Sequence, residues 1–140
     1  MSNATAETMP VSVPVSSPKW PLWTGRVFST LSVLMLLLDA AGKFMMPAQV
    51  VQACQRLGFP VNLSPTLGVL LTLSTLLYAI PRTAVFGAIL LTGYLGGAVA
   101  IHMRAGSPLF ETVFPVFIGI VVWAGIYLRD CRLRKVLPTR

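Results

Sequence analysis

Residues 83–103 read TAVFGAILLTGYLGGAVAIHM, and none of these 21 residues is Asp, Glu, Lys or Arg. A helix of about 20 apolar residues, rising about 1.5 Å per residue, spans a hydrocarbon core about 30 Å thick. Residues 57–81 and 112–128 also lack charge, and 27–46 is apolar apart from two charged residues. Because main-chain polar groups in lipid must be paired within their own segment, all four stretches are predicted to be helices. The expected spans are about 27–46, 62–80, 83–101 and 109–128.

The composition agrees with a membrane protein. The chain has 140 residues, of which 11 are Lys or Arg and 4 are Asp or Glu. Its mean hydropathy is +0.77, and its charged fraction of 11% is less than half of the roughly 25% usual in soluble domains. These values exclude a soluble core of this size and predict an all-α integral membrane four-helix bundle. The net charge of +7 would suggest nucleic acid in a soluble protein, but its distribution, described below, indicates lipid headgroups instead.

Three segments are expected. Residues 1–24 are rich in Ser, Thr, Pro and Val, which predicts a disordered N-terminal tail and not a secretory signal peptide. Residues 25–130 form the four-helix domain, with a short amphipathic helix over 48–57 on the membrane surface. Residues 131–140 form a basic tail.

The basic residues predict the orientation. One side of the membrane carries eight of them: Lys19, Arg26, Arg82, Arg129, Arg132, Arg134, Lys135 and Arg140. The other side carries three: Lys43, Arg56 and Arg104. Because short cytoplasmic flanks hold the excess of Lys and Arg, both termini are expected to be cytoplasmic. Cys54 and Cys131 then lie on opposite sides of the membrane, which excludes an intrachain disulfide.

Ionisable side chains within spans are costly and call for an explanation. Asp39 and Lys43 are one helical turn apart, in the favourable order for an ion pair. The topology gathers them with His102, Arg104 and Glu111 near the outer surface. One interpretation is that these charges only neutralise each other and fix the topology. The other is a polar pocket for an anion, a quinone head group or a proton path. No metal-ligand set and no nucleophilic catalytic arrangement is predicted.

Small residues in the third span predict helix contacts. Gly93 and Gly97 form a Gly-x-x-x-Gly pair, and Gly96 adds to it. Such residues let helix backbones approach closely in lipid. A packing face inside the bundle is favoured over a homodimer interface. Pro115, inside the fourth span, leaves the Glu111 carbonyl without its helical partner and is expected to bend the helix.

The stretch 81–100, PRTAVFGAILLTGYLGGAVA, with His102, Arg104 and the following 108–110 (PLF), resembles the DoxX-like family. The Asp39-x-x-x-Lys43 pair and 58–60 (GFP) resemble that family's first helix and the loop after it. The resemblance covers about residues 23–137, and its third-span motif is the specific part.

The resemblance implies a bacterial inner-membrane protein with four helices. Some relatives are linked with thiosulfate–quinone oxidoreduction or with complexes that manage oxidative stress, but no established catalytic residue can be transferred. The favoured hypothesis is a membrane subunit or scaffold, without catalytic activity of its own, that works with a redox or stress-related protein partner and contacts quinone. One alternative is a small transporter or proton-linked carrier that uses Asp39 and His102 and could act as a homo-oligomer. Another is a structural protein.

Overall fold

The structure, a computed structural model, describes residues 20–129. The predictions made for 1–19, for the basic tail 131–140 and for Cys131 concern residues outside this range. Five α-helices make up nearly all of the described chain, and no strand occurs in it. They are α1 (Trp20–Met45), α2 (Ala48–Arg56), α3 (Ser64–Ala79), α4 (Ala84–Arg104) and α5 (Leu109–Arg129), with a short 3-10 turn at Val61–Leu63 before α3.

Four of these helical segments are long and apolar enough to cross a membrane: Trp23–Met45, Val61–Ala79, Ala84–Arg104 and Leu109–Arg129. The all-helical prediction with four spans is therefore confirmed for the described residues. The short helix α2 lies where the sequence predicts a helix over 48–57.

The first helix begins earlier than predicted. It starts at Trp20, so residues 20–24, expected to belong to the tail, are helical. The prediction rested on the Ser, Thr, Pro and Val content of residues 1–24, and such a composition does not show at which residue a helix begins. Pro21 is compatible with this start, because proline is tolerated in the first turn, where its missing N–H has no helical acceptor.

The four long helices form a ring in the order α1, α3, α4, α5. Each packs against its two neighbours in this order, and α5 closes the ring on α1. The start of α1 meets the end of α5, because a Cβ placed on Gly25 would lie 2.7 Å from the main-chain nitrogen of Arg129. We call this the terminal end of the bundle. The opposite end, which carries α2 and the α4–α5 turn, is the distal end.

The interior of the ring is tightly packed in its terminal half. Leu71, Tyr78, Ala88 and Leu91 are wholly buried. Some buried hydroxyl groups bond within their own helices, as where Thr75 donates to the Leu71 carbonyl at 2.7 Å. Large apolar side chains cover the outside, as expected of a surface that faces lipid tails.

Candidate functional site

A cavity of about 310 Å³ lies between α1, α4 and α5 in the distal half of the bundle. Five polar side chains line it: Asp39, Lys43, Tyr94, His102 and Glu111. We call it the polar cavity. Four of the five residues of the predicted cluster are thus brought to one place, although they come from three helices. The remainder of the lining is apolar.

Asp39 and Lys43 form an ion pair on α1. The ammonium group of Lys43 lies 2.7 Å from both carboxylate oxygens of Asp39. The lysine side chain is 18% exposed and the aspartate side chain 53%. Because the lysine is the more buried partner, its charge depends more on the neutralising contact than does that of the aspartate.

Tyr94 was not identified from the sequence. Its phenol group interacts with the ammonium group of Lys43, which connects α4 to α1 across the ring. Lysine has three N–H donors, and two of them are used by Asp39. The third donor remains for Tyr94 or for a molecule in the polar cavity. The signal was available, because Tyr94 and His102 are eight residues apart and therefore share a face of α4.

His102 and Glu111 lie where α4 and α5 approach each other. The Nδ1 atom of His102 is 3.2 Å from the hydroxyl of Ser107 and 3.8 Å from a carboxylate oxygen of Glu111. Both of these contacts involve the Nδ1 atom. His102 and Glu111 also line a second cavity of about 290 Å³, which lies beneath α2 and includes Arg56.

Arg104 is not part of the polar cavity. Its guanidinium group donates to the carbonyl of Leu57 at 3.3 Å and lines a separate depression with Gly58 and Phe59. Two residues after His102 on a helix, it points about 200° away around the axis, so the sequence placed it at the right depth but on the wrong face.

The three predicted packing glycines do not contact other helices of the bundle. Gly93, Gly96 and Gly97 are exposed, and a Cβ built on any of them meets no atom within 4 Å. The expected packing face inside the bundle is therefore corrected. The glycines at which a Cβ would come within 3 Å of another helix are Gly25, Gly87 and Gly125, which the Gly-x-x-x-Gly pattern does not single out.

The charges of the polar cavity nearly cancel. One lysine faces two carboxylates, Asp39 and Glu111, and the imidazole of His102 adds a positive charge only when it is protonated. A phosphate or another anion would gain little here, because no net positive charge attracts it. A neutral polar group that accepts hydrogen bonds from Lys43, Tyr94 or His102 is better matched to these side chains.

Comparison with known proteins gives one match. The model of the DoxX-like family matches residues 27–125, which is more than half of the chain and extends from α1 into α5. No curated protein and no solved structure matches the chain.

Proposed function

The chain belongs to the DoxX-like family, and from that premise we propose that it is a membrane subunit or scaffold that binds the head group of a quinone and works with a redox or stress-related protein partner. The polar cavity, with its ion pair inside a membrane-spanning helix, is the observation that carries this proposal.

The depth of the cavity supports a ligand dissolved in the bilayer. Asp39 lies six residues before the end of α1, or about 9 Å inside it at 1.5 Å per residue. Ionisable side chains at such depth usually mark a functional site. The volume of about 310 Å³ is at the lower end of the range of small-molecule pockets, which suits a single ring system.

The available donors support a ligand with carbonyl oxygens. A quinone has two such oxygens and carries no charge, in keeping with the nearly cancelled charges around it. Lys43, held by Asp39, and the hydroxyl of Tyr94 form one group of donors. The ring of His102, which also lines the cavity, supplies another.

Quinone titration of the protein in nanodiscs tests the proposal. A double variant, Asp39→Asn with Lys43→Met, removes both charges together and so leaves no unpaired ion in the membrane. We expect it to bind the head group at least about tenfold more weakly, because the anchored donor is lost. Arg82→Met, which removes a positive charge at the terminal end, is the matched control and should bind normally.

Two results would contradict the proposal. One is that the intact protein binds no quinone in nanodiscs and retains none when gently purified from native membranes. The other is that the double variant and the Arg82→Met control bind with the same affinity as the intact chain.

We also propose the placement of the chain in the cell. It lies in a bacterial inner membrane with both termini in the cytoplasm, as the eight-to-three distribution of basic residues predicts. The distal end, with α2 and the polar cavity, then faces the outer side.

A second candidate function is a proton-linked carrier. It is favoured by the position of His102 and Glu111, which line both the polar cavity and the cavity beneath α2 and so lie between the surface and Asp39. Proteoliposomes should then show a proton flux that Asp39→Asn and His102→Ala abolish and Arg82→Met preserves. Flux that is absent from the intact protein, or unchanged in both variants, rejects this candidate.

A further inference from the structure

A long apolar groove runs between α4 and α5 on the outside of the bundle. Its volume is about 660 Å³, and it extends along α5 from Pro115 to Tyr127. Twelve residues of helix correspond to about 18 Å, so the groove has the length of a hydrocarbon chain with several isoprene units. We call it the α4–α5 groove.

Small residues create this groove. Gly96 on α4 and Gly119 on α5 both line it, and a Cβ added to Gly96 would meet no atom within 4 Å. At Gly119 the nearest atom would be Leu95 Cδ1, at 3.7 Å. The missing side chains leave a depression that the neighbouring residues do not fill.

Two polar side chains beside the groove, Thr92 and Trp123, are already hydrogen-bonded. Trp123 Nε1 donates to the hydroxyl of Thr92 at 2.9 Å, and that hydroxyl donates to the carbonyl of Ala88 at 2.7 Å. This chain of bonds joins α5 to α4 and satisfies the polar atoms of both side chains. What remains for an occupant is an apolar surface.

The groove adjoins the polar cavity. Leu95 and Pro115 line both spaces, so the two lie side by side near the middle of the bundle. From there the polar cavity extends to the distal end and the groove extends towards the terminal end. A molecule with a polar head and one long apolar tail matches this arrangement, with its head in the polar cavity and its tail in the groove.

We infer that the α4–α5 groove binds the isoprenoid tail of the quinone whose head group occupies the polar cavity, an inference that rests on the proposed function. A phospholipid fits less well. If it filled both spaces, its anionic phosphate would have to lie within the span, among side chains whose charges cancel. The single tail of a quinone enters from the bilayer and passes Leu95 and Pro115 on its way along the groove.

The test compares two leucine substitutions on the same helix. Gly96→Leu fills the groove, whereas Gly97→Leu adds the same side chain at a neighbouring exposed position outside the groove. Neither Cβ meets another atom, so both variants should fold. Binding of a quinone with a decyl tail and of the same quinone without a tail is measured by equilibrium dialysis against nanodiscs.

We expect Gly96→Leu to weaken binding of the tailed quinone about tenfold and to leave the tailless quinone unchanged, because only the tail loses its contacts. Gly97→Leu should change neither. The inference is overturned if Gly96→Leu has no effect on the tailed quinone, if it weakens both ligands equally, or if both variants behave alike. Failure of the proposed function is a different result, because then neither quinone binds the intact protein.

Quenching of Trp123 locates the tail directly. A variant with Trp20→Phe and Trp23→Phe keeps Trp123 as its single tryptophan. A quinone with bromine at the end of its tail should quench this residue, and Gly96→Leu should remove the quenching. Stable quenching by a phospholipid with brominated chains that quinone does not displace would assign the groove to lipid. A change from dimer to monomer in Gly96→Leu alone would assign it to a second copy of the chain. Either result overturns the inference.

Discussion

The hydroxyl group of Tyr78 donates to the main-chain carbonyl of Val122 at 3.0 Å, which joins two helices that are not neighbours in the ring. Tyr78 lies on α3 and Val122 on α5, diagonally across the bundle. The same hydroxyl is 3.2 Å from that of Ser29 on α1. Three helices therefore meet at one wholly buried side chain in the terminal half.

Replacing Tyr78 with Phe should destabilise the bundle by about 1 kcal/mol, because Ser29 and Val122 lose a partner where no water can replace it. The measurement is the free energy of unfolding in mixed micelles. Tyr94→Phe is the matched control. It removes a hydroxyl at the polar cavity and should weaken quinone binding about threefold to tenfold, with a smaller loss of stability. The reverse pattern, with Tyr94→Phe the less stable variant, would contradict this assignment.

Alanine substitutions should separate the close-contact glycines from the exposed ones. A Cβ on Gly87 would collide with the main-chain nitrogen of Tyr78, so Gly87→Ala should cost about 1–3 kcal/mol of stability. At Gly93 the space is open, and Gly93→Ala should be neutral or stabilise the helix by about 0.5–1 kcal/mol. Thermal unfolding in one detergent measures both. Equal destabilisation would mean that Gly93 contacts another chain.

Asp39 and Lys43 should depend on each other. Asp39→Asn alone leaves the mostly buried Lys43 ammonium without its counter-ion and should destabilise the protein by roughly 1–3 kcal/mol. Adding Lys43→Met removes the unpaired charge, so most of the stability should return. A double-mutant cycle on the free energy of unfolding gives the coupling. Additive losses would show that the pair does not contribute as a unit.

Arg104 should hold the surface helix in place without affecting the ligand. Its bond to the Leu57 carbonyl connects the end of α4 to the residue after α2. Arg104→Ala should therefore raise hydrogen exchange over residues 48–57 and leave quinone affinity unchanged. A loss of affinity without faster exchange would return Arg104 to the binding site.

The two cysteines test the orientation. Cys54 is a free thiol on α2, partly exposed at the distal end. In cells that produce a Cys131→Ser variant, a membrane-impermeant maleimide should label Cys54 from outside. In the Cys54→Ser variant, labelling of Cys131 should require lysis. The opposite pattern would place the distal end in the cytoplasm.

The long helices could be predicted from the sequence because the exclusion of charge from lipid is a one-dimensional signal, visible in gaps such as 83–103. The start of α1 could not, since Arg26 lies within the helix and only the main-chain geometry shows it. The depth of a residue along its span could also be predicted from the sequence. Asp39, Lys43, His102 and Glu111 were predicted at one depth, and they line one cavity.

Direction around a helix axis was harder to predict. Apolar side chains cover both the inner and the outer face of a span, so hydropathy does not say which face meets another helix. Gly93 and Gly97 were assigned to the inside for their spacing alone and lie outside, whereas Gly87 and Gly125 lie inside. Arg104 was placed on the wrong face of α4 for the same reason. Tyr94 was overlooked because an aromatic residue in a span does not stand out.

The two diagonal contacts lie in opposite halves of the bundle. Tyr78 and Val122 fasten α3 to α5 in the terminal half, and Lys43 and Tyr94 connect α1 to α4 in the distal half. The Tyr78 contact is thus separated along the membrane normal from the side chains that face the polar cavity. Substitutions in the distal half can therefore alter ligand choice while the Tyr78 contact stays intact, provided that Asp39 and Lys43 are changed together. New ligand specificities can therefore evolve through substitutions in the distal half. A library of engineered variants would be confined to that half.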